Sequence, residues 1–252
     1  MASGTPEVAS LRRALGLLEG LVAGGARQTI AEVAASAGLP LATAHRHVTT
    51  LMAAGFLTRL ASGRYVAGPR LRSLLGHVDE KQQIAAIAAP VLHELAARVR
   101  GVVQLGTLEN DMVTYRIKTG RGARGMFTRV GMQLEAYCSG IGKVLLAYLP
   151  DDERKSYLAN GPFIALTERT ITTAQALSEE LARVREQGFA TDEGEIAEDL
   201  ACLAVPIHAP QGRVIAAISI SRSALRQAPS ARMTDLPFLR DAAVRIGELA
   251  AG

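Results

Sequence analysis

Between residues 42 and 50 the chain carries Ala42, Thr43, His45, Arg46, His47, Thr49 and Thr50, interleaved with an apolar set of Ala44, Val48 and, just beyond, Leu51. At 3.6 residues per turn this spacing puts the apolar groups on one side of a helix and the donors and small side chains on the other. An arginine able to pair with a guanine edge, flanked by hydroxyls and imidazoles, is chemistry suited to the major groove of DNA, about 12 Å wide. Thr43 and the helix start can reach phosphates.

A second candidate is Ser139-Gly140-Ile141-Gly142. Ser139 can cap the helix that follows, leaving the first amides of Gly140 and Ile141 open to an anion such as a carboxylate. An ordinary capped helix with glycines for close packing reads the same way. No catalytic set emerges. His45 and His47 lie in the DNA helix, His77 in a connecting segment, His93 on a helix and His208 at a hairpin, so neither Cys138 nor Cys202 gains an evident base. Cys202, between Ala201 and Leu203, reads as a small buried thiol. Neither a metal-ligand spacing nor a cofactor motif is present. Gly120-Arg121-Gly122-Ala123-Arg124-Gly125 fits G-x-G-x-x-G, but the strand-like Met126–Gly131 follows where a dinucleotide site needs a helix. Gly142-Lys143 is no P-loop, since Tyr137 stands where its first glycine belongs.

The DNA helix needs a scaffold, and local signals supply one. A helix from Ser10 carries Leu11, Ala14, Leu15, Leu18, Leu21 and Val22 on one stripe and stops at Gly24-Gly25. Thr29 and Glu32 form a T-x-x-E capping box for a second helix with Ile30, Val33, Ala34 and Ala37 inward. Gly38 ends it, Leu39-Pro40 turns the chain, and the third helix runs from about Leu41 to Ala54. Phe56–Leu60 and Arg64–Val66 make a hairpin around Ala61-Ser62-Gly63. Together these predict a winged helix-turn-helix. Thr29, Arg59 and Arg64 join the candidate DNA contacts.

Beyond Pro69 a helical stretch from about Leu71 to Arg100 leads to alternating elements. Val102–Leu108 and Met112–Ile117 predict one hairpin, Leu200–His208 and Arg213–Ser221 another. Helices are predicted over Gly140–Leu149, Thr173–Gln187 and Leu236–Ala250. This is an α+β domain with an antiparallel sheet.

Length and composition bound the rest. At 252 residues, 48% hydrophobic and 21% charged, the chain is globular and large enough for one big domain or two modest ones. Two cysteines 64 positions apart exclude a disulfide scaffold and fit a reducing cytoplasm. Every apolar run is broken by charge before membrane-spanning length, and the first six residues read as a tail, not a leader. The net charge of +4 divides unevenly. Residues 1–78 hold 8 Arg against 3 Glu, whereas residues 79–252 hold 20 basic and 21 acidic side chains. The excess positive charge belongs to the DNA-reading third.

The motifs Ser10-Leu11-Arg12-Arg13-Ala14-Leu15, Gly38-Leu39-Pro40 with His45-Arg46, Gly55-Phe56-Leu57 and Arg64-Tyr65-Val66-Ala67-Gly68 together resemble the IclR family of bacterial transcriptional regulators. So do Ser139–Ala147, Cys202-Leu203-Ala204-Val205-Pro206-Ile207, Gly212 and Ser219-Ile220-Ser221. The resemblance covers almost the whole chain. It implies a DNA-binding domain over 1–68, a linker helix over 69–81 and a GAF-like effector-binding domain over 82–252. It also implies a cytoplasmic homodimer or homotetramer, with no membrane partner, that reads a double-stranded operator under the control of a small organic acid. The implied pocket has Gly140, Ile141, Asp192, Cys202, Ser219 and Ser221 as polar residues and Met126, Leu134 and Leu200 as apolar wall. Ser219 and Ser221, two apart on one strand, share a face. Two departures bear on pocket size: Ile141 is bulkier than the alanine familiar there, and Asp199 stands where glycine is common. The alternative is a metabolite-acting enzyme with a DNA-binding appendage, using Cys138 or Cys202.

Overall fold

Why the first third folds is visible in its turns. Helix α1 (Ala9–Ala23) is followed by α2 (Ile30–Ser36), whose N-cap Thr29 accepts from the Glu32 amide while the Glu32 carboxylate accepts from the Thr29 amide at 2.6 Å and its hydroxyl at 2.8 Å. These bonds hold the exposed Glu32 carboxyl below its ordinary range, the backbone bond most of all. Gly38, at φ +63°, then lets the Leu39 amide reach the Ala34 carbonyl and its own amide the Ala35 carbonyl, which closes the helix and points Leu39 inward. Helix α3 (Leu41–Ala53) and the wing strands β1 (Leu57–Arg59) and β2 (Tyr65–Ala67) complete the unit, before α4 (Pro69–Gly76). Thr29→Ala should lower this unit's stability by about 1 kcal/mol. A reduced urea midpoint in the full chain would record it, and an unchanged midpoint would count against the cap.

The computed structural model describes residues 7–76, 79–223 and 233–251, and its contacts divide between Asp79 and Glu80. The tail over 1–6 and His77 lie outside the described residues. The core of the first unit is Leu17, Leu18, Leu21, Ile30, Val33, Ala34, Leu39, Ala44, Val48, Leu57 and Tyr65. Three inward assignments fail: Leu11 and Leu15 are 58% and 53% exposed, and Ala37 is also exposed. Helix α1 turns Leu17 inward instead. Gly20 allows this, because a Cβ there would lie 2.6 Å from Val33 Cγ1.

The second unit is one antiparallel sheet with helices on both faces. Its strands are β3 (Val102–Glu109), β4 (Met112–Gly120), β5 (Gln133–Glu135), β6 (Ala190–Glu193), β7 (Leu200–His208) and β8 (Val214–Ser223), in the order β5-β4-β3-β8-β7-β6. On one face Val103, Leu105, Leu203, Val205, Ile207, Ile218 and Ile220 pack against α5 (Glu80–Arg98) and the C-terminal helix, Leu236–Leu249. The other face carries Val113, Tyr115, Ala190, Ala204 and Ala217 under α6 (Gly140–Ala147), α7 (Asp151–Ala159) and α8 (Ala174–Gln187), which makes the C-terminal helix α9. Met126–Gly131, which reads as strand in sequence, forms no strand here.

Candidate DNA and effector sites

Helix α3 buries Ala44 and Val48 and leaves Ala42, His45, Arg46, Thr49 and Thr50 exposed, with Thr43 and His47 half-buried. Thr49 Oγ1 donates to the His45 carbonyl at 2.9 Å and Thr50 Oγ1 to the Arg46 carbonyl at 3.0 Å. Their protons stay within the helix, so outward they offer an acceptor and a methyl group, suited to a cytosine or adenine amino group and a thymine methyl. Arg46 is the strong donor at the centre of this face. Thr29 has its hydroxyl engaged in the cap. On the wing, Arg59 is exposed. Arg64 is half-buried, donates to the Arg27 carbonyl and lies 3.9 Å from Glu32, so it braces the wing against the start of α2.

In the second unit, sheet register does the assembling. Across β8, β7 and β6, Ser221 stands opposite Cys202 and Cys202 opposite Asp192. One step along, Gln104 stands opposite Ser219 and Ser219 opposite Ala204. Cross-strand partners share a face, so these groups form two adjacent rows. The side chains then link: Gln104 Nε2 donates to Thr128 Oγ1 at 2.9 Å, Ser221 Oγ to Gln104 Oε1 at 3.1 Å, and Cys202 Sγ lies 2.9 Å from Ser221 Oγ. With the Ser221 proton committed to Gln104, the thiol supplies the proton of the last contact.

Helix α6 begins directly over these rows. Ser139 caps it by accepting from the Gly142 amide at 3.0 Å, which leaves the amides of Gly140 and Ile141 as the first without an intrahelical carbonyl. A Cβ on Gly140 would lie 3.4 Å from the Ala204 Cβ and 3.5 Å from the Cys202 Cβ, so the helix start rests across both rows. A Cβ on Gly142 would meet the Ala136 carbonyl at 2.0 Å, so only glycine lets the preceding turn close.

Asp192 is fully buried. Its Oδ1 accepts from the Glu195 amide at 2.7 Å, while Oδ2 has no hydrogen-bond partner. Burial pushes its carboxyl from an ordinary 3.8 up to about 7, against the lowering pull of the Glu195 amide and with the Glu195 charge adding to the rise. Burial also pushes the Cys138 thiol up to about 12 and the Cys202 thiol higher still. Thiols so disfavoured as thiolates are poor nucleophiles. Because the folded value of Asp192 lies above the unfolded one, the folded state holds the extra proton between about pH 4 and about pH 7. Its contribution to stability is therefore full at low pH and lost as the pH rises through about 7. Asp192→Asn should flatten that part of the profile and raise the thermal midpoint at pH 8, since each pH unit separating the folded from the unfolded value is worth about 1.4 kcal/mol. Parallel midpoint-against-pH curves for the two proteins would refute it.

Met126, Leu200 and Ser221 line a cleft of about 950 Å³, together with Arg100, Arg121 and Phe127. Gly140, Ile141, Asp192, Cys202 and Ser219 do not line this cleft, and Leu134 packs beside Val113 in the apolar core that also holds Ile141. The glycine-rich 120–125 loop forms a single 3-10 turn at Ala123–Gly125 and opens no α-helix. Sequence reasoning missed Gln104 and Thr128, and it missed Lys143, which is 1% exposed and paired with Glu180 and Glu195. Among the described residues no group of histidine, cysteine and carboxylate could hold a metal, and no helix is long and apolar enough to cross a membrane.

A winged helix-turn-helix followed by a separate sheet domain with a buried polar site defines a DNA-binding transcriptional regulator. Residues 10–61 match the IclR helix-turn-helix domain, and residues 76–248 match the bacterial transcriptional regulator IclR C-terminal domain. The chain belongs to the IclR family. It is 32% identical over 243 residues to the HTH-type transcriptional regulator KdgR of Escherichia coli (strain K12), covering 95% of this chain and 91% of that protein. It is 30% identical to the transcriptional repressor IclR of the same organism, covering 93% and 85%. An IclR homolog from Microbacterium hydrocarbonoxydans, solved in complex with 4-hydroxybenzoate, superposes with a TM-score of 0.62 at 29% identity, covering 96% of this chain and 99% of that one. These relatives are regulators, so the enzyme alternative falls.

Proposed function

We propose that this chain is a cytoplasmic regulator that binds a double-stranded operator as a homodimer or homotetramer and releases or tightens its grip when a small organic acid enters the second unit. The observation that carries the effector reading is the orphaned Oδ2 of Asp192, fully buried on a residue that pairs with Cys202 beneath the first residue of α6. A buried polar atom without a partner costs about 1–3 kcal/mol, and a ligand hydroxyl or amino group would relieve that cost. The amides of Gly140 and Ile141 hold the ligand's carboxylate, aided by the positive end of α6. Ser219, Ser221 and Cys202 line the floor, and Met126 and Leu200 the apolar approach. Leu134 supports Val113 behind the site. The 4-hydroxybenzoate bound by the Microbacterium homolog carries both groups this arrangement asks for.

On the DNA side, His45, Arg46, Thr49 and Thr50 face base edges, while Thr43, His47, Arg59 and the α3 start grip the backbone. Thr29 and Arg64 hold these elements in place. Regulation is a population shift: an effector moves the equilibrium only by as much as it prefers one arrangement of the protomers. The test is a gel shift of the full chain on DNA upstream of its own coding region, with and without a panel of small organic acids. Sequence-selective retardation that weakens steeply with salt and responds to an acid is expected. Retardation indifferent to sequence and to every acid would overturn the reading.

A further inference from the structure

We propose that Lys143 is a positioning residue for the effector pocket. Through Glu195 it fastens the connector between β6 and β7, and with it Asp192, to the helix whose first amides form the opposite wall. This rests on the effector reading given above.

Lys143 lies one turn into α6, three residues after Gly140, and is 1% exposed. Its Nζ donates to Glu180 Oε1 of α8 at 2.9 Å and to Glu195 Oε1 of the connector. Arg183 completes the cluster from the far side by pairing with the other oxygen of Glu180. Glu195 Oε2 keeps no partner. A buried ion pair with an unmet oxygen is weak evidence of stabilisation, because apolar side chains of the same volume do as well or better. What a buried pair adds is direction. Lys143 reaches across from the helix to one point on the connector and holds it there.

That point is the one Asp192 depends on. The Glu195 amide donates to Asp192 Oδ1 at 2.7 Å, so fixing Glu195 fixes the carboxyl whose other oxygen is unmatched. The connector is tied from its outer side as well. Thr167 Oγ1 donates to the Gly194 carbonyl at 2.6 Å and Thr170 Oγ1 to the Glu195 carbonyl at 2.7 Å. These hydroxyls hold the backbone of the connector, and the Lys143 side chain ties it to α6. Sheet register places the Asp192 backbone opposite Cys202, and this pair adds the tie that holds its carboxyl, through the Glu195 amide, at a fixed distance from the helix amides.

The test compares wild type with Glu195→Gln, which is nearly isosteric, and Lys143→Met, all as full chains. Hydrogen exchange followed by mass spectrometry should find peptides over 190–200 exchanging about tenfold faster or more in both variants, with β3, β8 and α9 protected as in wild type. Calorimetric titration with 4-hydroxybenzoate should find its affinity about tenfold lower in Glu195→Gln. Unchanged exchange over 190–200 would overturn the proposal, and so would uniform acceleration across the unit, the mark of a merely structural pair. Should Lys143→Met not fold, Glu195→Gln decides alone. Should wild type bind no 4-hydroxybenzoate, the effector reading fails for that acid, while the exchange result still decides the role of Lys143.

Discussion

Replacing Arg46 by alanine should weaken operator binding by about tenfold to a hundredfold, equivalent to ~1–3 kcal/mol, while the unfolding midpoint stays within error of wild type. The side chain is exposed on α3, on the face opposite Ala44 and Val48, so removing it takes nothing from the core. The threonines on this face cannot replace it. Thr49 and Thr50 have their protons engaged with the carbonyls of His45 and Arg46, which leaves the single ring N–H of a neutral His45 as the exposed donor beside it, without the paired donors an arginine offers a guanine edge. A gel-shift titration of Arg46→Ala at fixed salt measures the loss. The manner of the loss separates two roles. If Arg46 reads a base, discrimination between the operator and a mutated operator collapses with affinity; if it grips a phosphate, affinity falls alike on all sequences and the salt slope drops by about one ion. Unaltered affinity on every sequence would remove Arg46 from the interface.

The first unit is legible in sequence because its signals are local. Thr29 and Glu32 are three residues apart, and Gly38, Leu39 and Pro40 sit together at the turn, so cap and turn can be read without knowing the tertiary fold. The face of α1 is not legible. Leucines at 11, 15, 17, 18 and 21 offer two overlapping stripes, and what chooses between them is the close approach of Gly20 to Val33 on another helix. In the second unit the alternation around Ser219 and Ser221 and the cap at Ser139 can be read from short spacings. The cluster at Lys143 cannot, because its partners are 37 and 52 positions away and a lysine in sequence normally signals surface. Strand β6 and helix α7 escape for a simpler reason. The first is four residues, three of them polar, and the second, Asp-Asp-Glu-Arg-Lys-Ser-Tyr-Leu-Ala, buries only Tyr157 and so has no apolar stripe.

Changing Ser219 and Ser221 together to alanine should abolish the response to an acid effector and leave operator binding intact. Both hydroxyls lie on the same face of β8, buried in the unit that does not carry α3. Ser221 is the middle of the chain from Thr128 through Gln104 to Cys202, so its loss strands the Gln104 carbonyl oxygen and the Cys202 thiol at once. The Ser221 proton already goes to Gln104, so Ser219 is the hydroxyl free to donate to a carboxylate, a bond worth about 1.5–3 kcal/mol, and its loss lowers effector affinity by roughly tenfold to a hundredfold while the loss of Ser221 loosens the row beside it. Stability falls too, by about 1–3 kcal/mol for each buried group left unmatched, and thermal unfolding must establish that the variant is folded before binding is judged. Calorimetry with 4-hydroxybenzoate, or with whichever acid moves the wild-type gel shift, then gives the affinity. A normal isotherm in the folded double variant would show that the ligand sits elsewhere. Loss of operator binding alongside loss of the acid would show that these serines support the fold and do not report the effector. The single variants separate the contributions: Ser221→Ala breaks the Gln104–Cys202 link, whereas Ser219→Ala leaves that link whole and removes only the hydroxyl of the adjacent row.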